Sequence, residues 1–139
     1  MTAYLWAVVT ALIWGVVPLI EKLGLRGTDP TIGVFARSVG VILGIAILAV
    51  AWSPWTALIR MSIGSFLLLA LGGFMASVLG QLAFYRALKL GTVSQMTPIA
   101  GAYPFVAALL GWVLLHEPLS PPRVLGVILI VLGVVLLRH

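Results

Sequence analysis

The chain has 139 residues, of which 63% are hydrophobic and 8% are charged, and it contains no cysteine. Soluble domains carry about 25% charged residues, so this composition excludes an ordinary soluble domain and predicts a membrane protein. The net charge of +5 does not indicate nucleic-acid binding, because the basic residues lie at the ends of apolar segments instead of forming one patch. Without cysteine, neither a disulfide framework nor a thiolate metal site is possible.

Five apolar segments, separated by turn and capping residues, follow one another along the chain. A membrane-spanning helix needs about 20 apolar residues, and a spanning strand would alternate apolar and polar residues instead. Helices are therefore predicted at residues 3–22, 32–52, 62–88, 93–116 and 121–137. The first is expected to be a retained helix and not a cleaved signal peptide. The predicted fold class is all-α membrane, a polytopic bundle of five transmembrane helices in a single domain, 1–139.

Prolines and glycines mark the predicted connections. The segment from Leu25 to Thr31 is predicted to be a turn, and Ser53-Pro54-Trp55 is predicted to end the second helix. The fourth helix is expected to be interrupted by Pro98 and Pro104. Ser120 is predicted to cap the fifth helix, with prolines in its first turn.

The basic residues are unequally divided between the two membrane faces. The division is two against five, with Arg60 and Arg123 on the N-terminal side and Lys22, Arg26, Arg86, Lys89 and Arg138 on the other side. Lys and Arg are enriched in cytoplasmic loops. We therefore expect an outside N-terminus and a cytoplasmic C-terminus, with insertion in both orientations left open.

Three of the predicted helices carry a polar or aromatic stripe. The stripes are Thr10, Trp14, Pro18 and Glu21; Gly73, Ser77, Gln81 and Tyr85; and Ser94, Thr97, Gly101, Pro104 and Ala108 with Tyr103 beside them. Such a stripe must face protein or water instead of lipid. The three stripes either line one cavity or make interhelical hydrogen bonds without a cavity.

Two charged residues lie inside the predicted spans near one membrane face. At a helical rise of 1.5 Å per residue, Arg37 lies about 8 Å into the second predicted helix. Glu21 is near the end of the first predicted helix. A charge there costs free energy unless it pairs or reaches the interface. The two side chains are predicted to form a charge pair, the alternative for Arg37 being an extended side chain that reaches lipid phosphates.

Small residues on the second and fifth helices predict close helix packing. Gly40 and Gly44 form a G-x-x-x-G pattern, and Gly126 and Gly133 lie on one seam of the fifth helix. The fifth helix carries almost no polar side chain, which makes it the best candidate for a peripheral or intersubunit contact.

Several short motifs occur in a specific order along the segments. They are Trp14-Gly15 followed by Lys22, Phe35-Ala36-Arg37, Phe84-Tyr85-Arg86-Ala87-Leu88, Pro104, and His116-Glu117-Pro118-Leu119-Ser120 before Gly126 and Gly133. In this order and spacing, the chain resembles one EamA-type repeat of the drug/metabolite transporter superfamily over nearly its full length.

The resemblance implies a fold and a function. The typical member has ten helices in two five-helix repeats of inverted topology, and it moves small metabolites through a central cavity. The first, third and fourth helices of each repeat line that cavity, and these are the helices with polar stripes. One repeat implies a partner, namely an antiparallel or parallel homodimer or a second half-transporter. Glu21 is not a usual feature of the family, so its role depends on the charge argument alone.

We therefore expect a multi-pass inner-membrane transporter subunit for small metabolites or drugs that acts as a dimer by alternating access. Trp14, Gln81, Tyr85, Tyr103 and Pro104 are predicted to line the substrate pathway, and their aromatic rings suit amphipathic or cationic substrates. Glu21 is a candidate coupling carboxylate. The expected partners include the lipid bilayer and a small-molecule substrate. No cofactor, metal or nucleic acid is expected.

The sequence leaves one alternative function open and disfavours another. A non-transporting membrane subunit that stabilises or regulates a partner transporter is the alternative. A membrane enzyme is disfavoured because no reacting constellation is present: His116 has only the adjacent Glu117, and adjacent residues of a helix do not face each other.

Overall fold

The computed structural model describes residues 2–118 and 120–137, and every element of secondary structure in these two ranges is helical. Four helical stretches are long and apolar enough to cross a membrane: Ala3–Gly24, Pro30–Trp52, Ile63–Leu90 and Val93–Leu115. A shorter apolar helix covers Pro121–Leu136. The predicted all-α membrane fold class is confirmed. Leu119 of the last motif and Arg138 of the charge count lie outside the described residues.

The first connection is shorter than the sequence predicted. Helix α1 covers Ala3–Gly24 and α2 covers Pro30–Trp52, so α2 begins two residues before the predicted position 32. Asp29 caps α2, because its Oδ1 accepts a hydrogen bond from Thr31 N at 2.8 Å. Pro30 occupies the first helical turn, where a backbone N–H would have no intrahelical acceptor, so its absence costs no hydrogen bond. Gly27 reverses the chain with a φ of 73°.

A short helix that the sequence did not indicate follows α2. Ser53 takes a left-handed conformation (φ 43°) and its N–H bonds to Ala49 O at 3.0 Å, which ends α2. Helix α3, Trp55–Ile59, lies in the connection. Ser62 then caps the next helix by accepting a hydrogen bond from Ser65 N at 3.1 Å.

The third span is not a continuous α-helix. It consists of α4 (Ile63–Phe74), a π-helical segment (Met75–Gly80) and α5 (Gln81–Leu90). A π-helix bonds residue i to i+5 and therefore shifts the angular position of everything after it. Gln81 and Tyr85 keep the predicted four-residue spacing within α5, while the shared stripe with Gly73 in α4 and Ser77 in the π-helical segment stays a prediction.

The fourth span is broken at Gly101 and Ala102, between α6 (Val93–Ala100) and α7 (Tyr103–Leu115). The predicted interruption at Pro104 is observed directly before this proline, which lies in the first turn of α7, where its missing N–H costs no intrahelical hydrogen bond. The predicted interruption at Pro98 is wrong, because α6 continues through it to Ala100.

The last helix, α8, covers Pro121–Leu136. Its 16 residues are roughly 24 Å long at 1.5 Å per residue, which is less than the hydrocarbon core of about 30 Å. Ser120 takes the extended conformation of an N-cap but makes no side-chain capping bond. At the other end, Leu137 O accepts a hydrogen bond from Gln95 Nε2 of α6 at 3.0 Å.

The chain divides into two compact units, one ending at Lys89 and one beginning at Leu90, and each is described separately. The first unit has a small apolar core of Leu25, Val34, Tyr85 and Leu88. These residues come from the end of α1, the start of α2 and the end of α5. The core therefore lies at one end of the unit.

The glycines predicted to mediate helix packing do not do so within the described chain. At Gly40, Gly44, Gly126 and Gly133, no described atom lies within 4 Å of the position a Cβ would occupy. Their contact with a partner chain stays a prediction. The close approach in the first unit occurs instead at Gly33, where a Cβ would lie 2.8 Å from Leu25 Cδ2.

Candidate functional site

Three polar side chains of the first unit meet around the carboxylate of a fourth residue, Glu21. Gln81 Nε2 donates to both oxygens of Glu21, at 3.0 Å to Oε1 and 3.2 Å to Oε2. Tyr85 Oη donates to Oε1 at 2.9 Å. Arg37 Nε lies 3.4 Å from the same oxygen and completes an ion pair. We call these four residues the Glu21 cluster.

Three spans contribute to the Glu21 cluster. Glu21 is in the last turns of α1, and Arg37 lies roughly 10 Å into α2 from Pro30 at 1.5 Å per residue. Gln81 and Tyr85 are four residues apart on α5, so both side chains leave the same face of that helix. One carboxylate therefore links α1 to both α2 and α5.

A glycine makes this arrangement possible. A Cβ at Gly33 would lie 3.1 Å from two ring atoms of Tyr85, which is closer than nearly all real contacts of a Cβ. The missing side chain lets the Tyr85 ring pack against α2, and the tyrosine is only 3% exposed. From this position its hydroxyl reaches Glu21.

The electrostatics of the cluster rest on mutual neutralisation. The Glu21 side chain is 10% exposed and the Arg37 side chain is 31% exposed. An isolated charge at such depth costs several kcal/mol, and pairing with hydrogen bonding offsets that cost. The predicted Glu21–Arg37 proximity is thus observed, and two neutral donors from α5 are added to it.

The guanidinium of Arg37 is not fully used. Its Nη1 is buried and has no hydrogen-bond partner among residues 2–118 and 120–137. Buried polar atoms are nearly always paired. The cluster therefore gives both oxygens of its anion a donor and leaves one donor of its cation uncommitted.

Lys22 reinforces the same end of the unit. Its Nζ donates a hydrogen bond to the carbonyl oxygen of Leu88, near the end of α5. A cation at a helix C-terminus stabilises carbonyls that lack an intrahelical partner. The residue interpreted from the sequence as a topology signal thus also ties α1 to α5.

The predicted pathway residues are divided between the two units, which are described separately. The structure brings Gln81 and Tyr85 together at Glu21, whereas Trp14 lies about two turns earlier on α1. Tyr103 and Pro104 start α7 in the second unit. Within residues 2–118 and 120–137, no group of three or more His, Asp or Glu side chains could hold a metal ion.

A second carboxylate folds back on its own helix in the other unit. Glu117 follows His116, whose φ of 53° ends α7, and Glu117 N donates to Gly111 O at 3.1 Å. Its Oε2 lies 3.1 Å from where a Cβ of Gly111 would be. The chemistry of this carboxylate differs from that of Glu21, since no ion pair with it is found in the described part of the chain.

The Glu21 cluster was only partly evident in the sequence. The pairing of Glu21 with Arg37 followed from their similar depth in two neighbouring spans. The contribution of Gln81 and Tyr85 to that pair was missed, although their four-residue spacing near the end of the third span signalled it. The apolar helices and this intramembrane charge pair define a multi-pass membrane protein with a polar site between its spans.

The chain belongs to the EamA-like transporter family, whose model matches residues 1–138. An uncharacterized transporter from Sinorhizobium sp. is 29% identical over 132 residues, covering 95% of this chain and 93% of the relative. An uncharacterized protein from Methanocaldococcus jannaschii is 35% identical over 60 residues, covering 43% of this chain and 44% of that protein. No solved structure matches the chain. The resemblance to an EamA-type repeat is thereby confirmed.

Proposed function

We propose that this chain is a subunit of a secondary transporter for small organic molecules and that Glu21 is its coupling carboxylate. The observation that carries the proposal is the Glu21 cluster, in which one carboxylate bonds to side chains of two other spans. Ionisable groups inside transporters commonly relay protons or bind substrate. Membership in a transporter family and a relative named as a transporter support the general class.

The working assembly is a dimer that operates by alternating access. In secondary transporters, related repeats rock around a site near the midplane. The relative named as a transporter is matched over 93% of its length by this chain, which supports an assembly of two such units. The core of the first unit lies at the end that holds Glu21 and Lys22, and separation of α1 from α5 at this end opens the site.

The orientation is proposed from the distribution of charge. The Lys22 and Lys89 face is cytoplasmic because it carries the larger share of Lys and Arg. Tags at each terminus, tested for protease access in intact cells, check this. Tags on both sides in one preparation support an antiparallel dimer, and a single orientation supports a parallel dimer or a second half-transporter.

The coupling role is tested with the isosteric variant Glu21→Gln. Purified protein is reconstituted into vesicles that contain a pH-sensitive dye, and a panel of carboxylates, amino acids and quaternary amines is added outside. Wild-type protein is expected to move protons with at least one member of the panel, and Glu21→Gln is expected to abolish this movement. Glu117→Gln is the matched control, because this second glutamate lies outside the Glu21 cluster.

Two results contradict the proposal in different ways. If Glu21→Gln keeps the full pH dependence of flux, Glu21 is not the coupling group. If the wild type moves neither protons nor solutes with the whole panel, the chain is better described as a non-transporting subunit that stabilises or regulates a partner.

A further inference from the structure

The uncommitted donor of Arg37 indicates which kind of solute the Glu21 cluster accepts. The Glu21 carboxylate accepts hydrogen bonds on both oxygens, from Gln81 and Tyr85, and it is paired with Arg37. The Arg37 guanidinium, in contrast, contacts Glu21 through Nε and has a buried Nη1 without a partner in the described residues. The unmet bonding capacity of the cluster is therefore a cationic donor.

This asymmetry disfavours a cationic solute at the cluster. A cation would have to displace Arg37 from Glu21 and leave a partly buried guanidinium without its counter-ion, which is costly. An anion meets the opposite situation, because the planar guanidinium matches a carboxylate with two parallel N–H donors. Of the amphipathic or cationic substrates that the aromatic residues suggest, the cluster therefore disfavours the cationic ones.

We propose that the cluster binds a small organic monocarboxylate on the Arg37 guanidinium while Glu21 takes up one proton. The proposal rests on the transporter function above and names the substrate class and the coupling of that same site. The two events depend on each other. A proton on Glu21 removes the charge that competes for Arg37, and an anion on Arg37 replaces the charge that Glu21 loses.

The charge and proton count balances. Before binding, the cluster holds one carboxylate and one guanidinium, so its net charge is zero. Uptake of one proton from water converts the Glu21 carboxylate to a carboxylic acid, and the bound monocarboxylate restores a single negative charge beside Arg37. The carbonyl oxygen of the acid still accepts from Gln81 or Tyr85. The loaded site therefore has the same net charge as the empty one, and carriage of both species is electroneutral.

The other titratable groups near Glu21 do not replace it in this exchange. Arg37 from α2 is the cation of the ion pair. Tyr85 from α5 contacts Glu21 as a neutral donor. Lys22, which is adjacent on α1, donates to the carbonyl of Leu88. Glu21 is thus the group of this cluster to which the proposal assigns the proton.

Calorimetry on the full chain in nanodiscs of neutral lipid tests the proposal. The probes are benzoate, the neutral isostere benzamide and the cation benzylamine, with empty nanodiscs as the blank. Benzoate is expected to bind, and titrations in buffers of different ionisation enthalpy are expected to show about one proton taken up per benzoate. By linkage, the apparent Kd for benzoate then rises about tenfold per pH unit where the free protein has Glu21 ionised.

Variants of the pair give results that a merely structural role would not produce. Glu21→Gln resembles the protonated state, so at alkaline pH it is expected to bind benzoate at least tenfold more tightly than wild type, without proton uptake. Arg37→Gln is expected to weaken binding by about 10- to 100-fold, the usual effect of losing a charged hydrogen bond. The double variant Glu21→Gln/Arg37→Gln removes both charges together and is expected to bind no more tightly than Arg37→Gln; unfolding in SDS shows that each variant is folded.

A lipid or a free inorganic anion offers the same chemistry to Arg37. Inorganic phosphate is therefore titrated alongside benzoate, and the benzoate titration is repeated in nanodiscs that contain anionic lipid. A headgroup bound at Arg37 would abolish benzoate binding in anionic lipid and not in neutral lipid. That result, or tighter binding of phosphate than of benzoate, overturns the carboxylate assignment.

The remaining outcomes separate this proposal from the proposed function. Benzoate binding with proton uptake in a protein that moves no solute supports the site and contradicts the transporter function. Flux of other solutes without proton-linked benzoate binding supports the transporter function and overturns the carboxylate site. Preferential binding of benzylamine also overturns it, as does the absence of binding by benzoate.

Discussion

The closest packing in the first unit predicts that Gly33→Ala destabilises the protein. A Cβ there would lie 2.8 Å from Leu25 Cδ2 and 3.1 Å from two atoms of the Tyr85 ring. Both neighbours are only 3% exposed, so there is little room for them to move. Overpacking of this kind costs about 1–3 kcal/mol, while alanine is favoured over glycine in a helix by about 0.8–1 kcal/mol.

The matched control is Gly40→Ala, seven residues further along α2. No described atom lies within 4 Å of its Cβ position, so this variant receives the propensity gain without the clash. The expected difference in unfolding free energy between the two variants is therefore about 1–3 kcal/mol, equal to the overpacking cost alone. Unfolding by SDS in mixed micelles, followed by circular dichroism, measures the difference.

A second substitution tests the cause of this difference. Leu25→Ala removes Cδ2, the atom nearest to the new Cβ, so Gly33→Ala is expected to cost at least about 0.5 kcal/mol less in that background. Equal stabilities of Gly33→Ala and Gly40→Ala would show that α2 does not approach Leu25 and Tyr85 as described. An unchanged cost in the Leu25→Ala background would place the clash elsewhere.

Three further predictions concern chain reversals outside the spans. The hydrogen bond from Thr31 N holds the pKa of Asp29 below its ordinary value of 3.8. The ionised cap therefore stabilises the fold above about pH 4, and this contribution is lost as pH falls through the lower folded-state pKa. Unfolding in SDS between pH 5 and 3 should show the loss in wild type and not in Asp29→Asn, which caps without titrating. Gly27→Ala, at φ 73°, is expected to lower the free energy of unfolding by about 1–2 kcal/mol, whereas Gly24→Ala in α1 is expected not to lower it. Equal SDS unfolding midpoints for the two variants would show that the backbone at Gly27 is not strained by a side chain. His116→Gly, at φ 53°, is expected to raise the midpoint by relieving the same strain, and a lower midpoint would contradict this.

The sequence was sufficient for the fold class because each segment carries a strong local signal. Long apolar runs bounded by Asp29, Ser53 and Ser62 predict helices and their ends from local chemistry alone. Pro30 was assigned to a turn because a proline indicates a helix start only when the residue before it, here Asp29, is recognised as the N-cap. The charge pair of Glu21 and Arg37 was predictable because burial of either charge alone is costly.

The irregular parts of the spans were not predictable from the same signals. The π-helical segment Met75–Gly80 has the same apolar composition as the α-helix before it. Its consequence is the angular position of α5, which decides that Gln81 and Tyr85 reach Glu21. The break at Gly101 and Ala102 is the exception, since it directly precedes Pro104, whereas the expected interruption at Pro98 is absent because α6 continues through it.

The Glu21 cluster and the apolar core occupy the same end of the first unit, so stability and binding must be separated by experiment. Tyr85 belongs to both, since its ring packs on Gly33 and its hydroxyl donates to Glu21. Gly33→Ala perturbs this packing without changing any charge. It is therefore expected to weaken benzoate binding while the uptake of about one proton per anion persists, whereas Glu21→Gln removes the proton uptake and retains binding. Loss of proton uptake in Gly33→Ala would mean that the linkage arises from packing and not from the carboxylate.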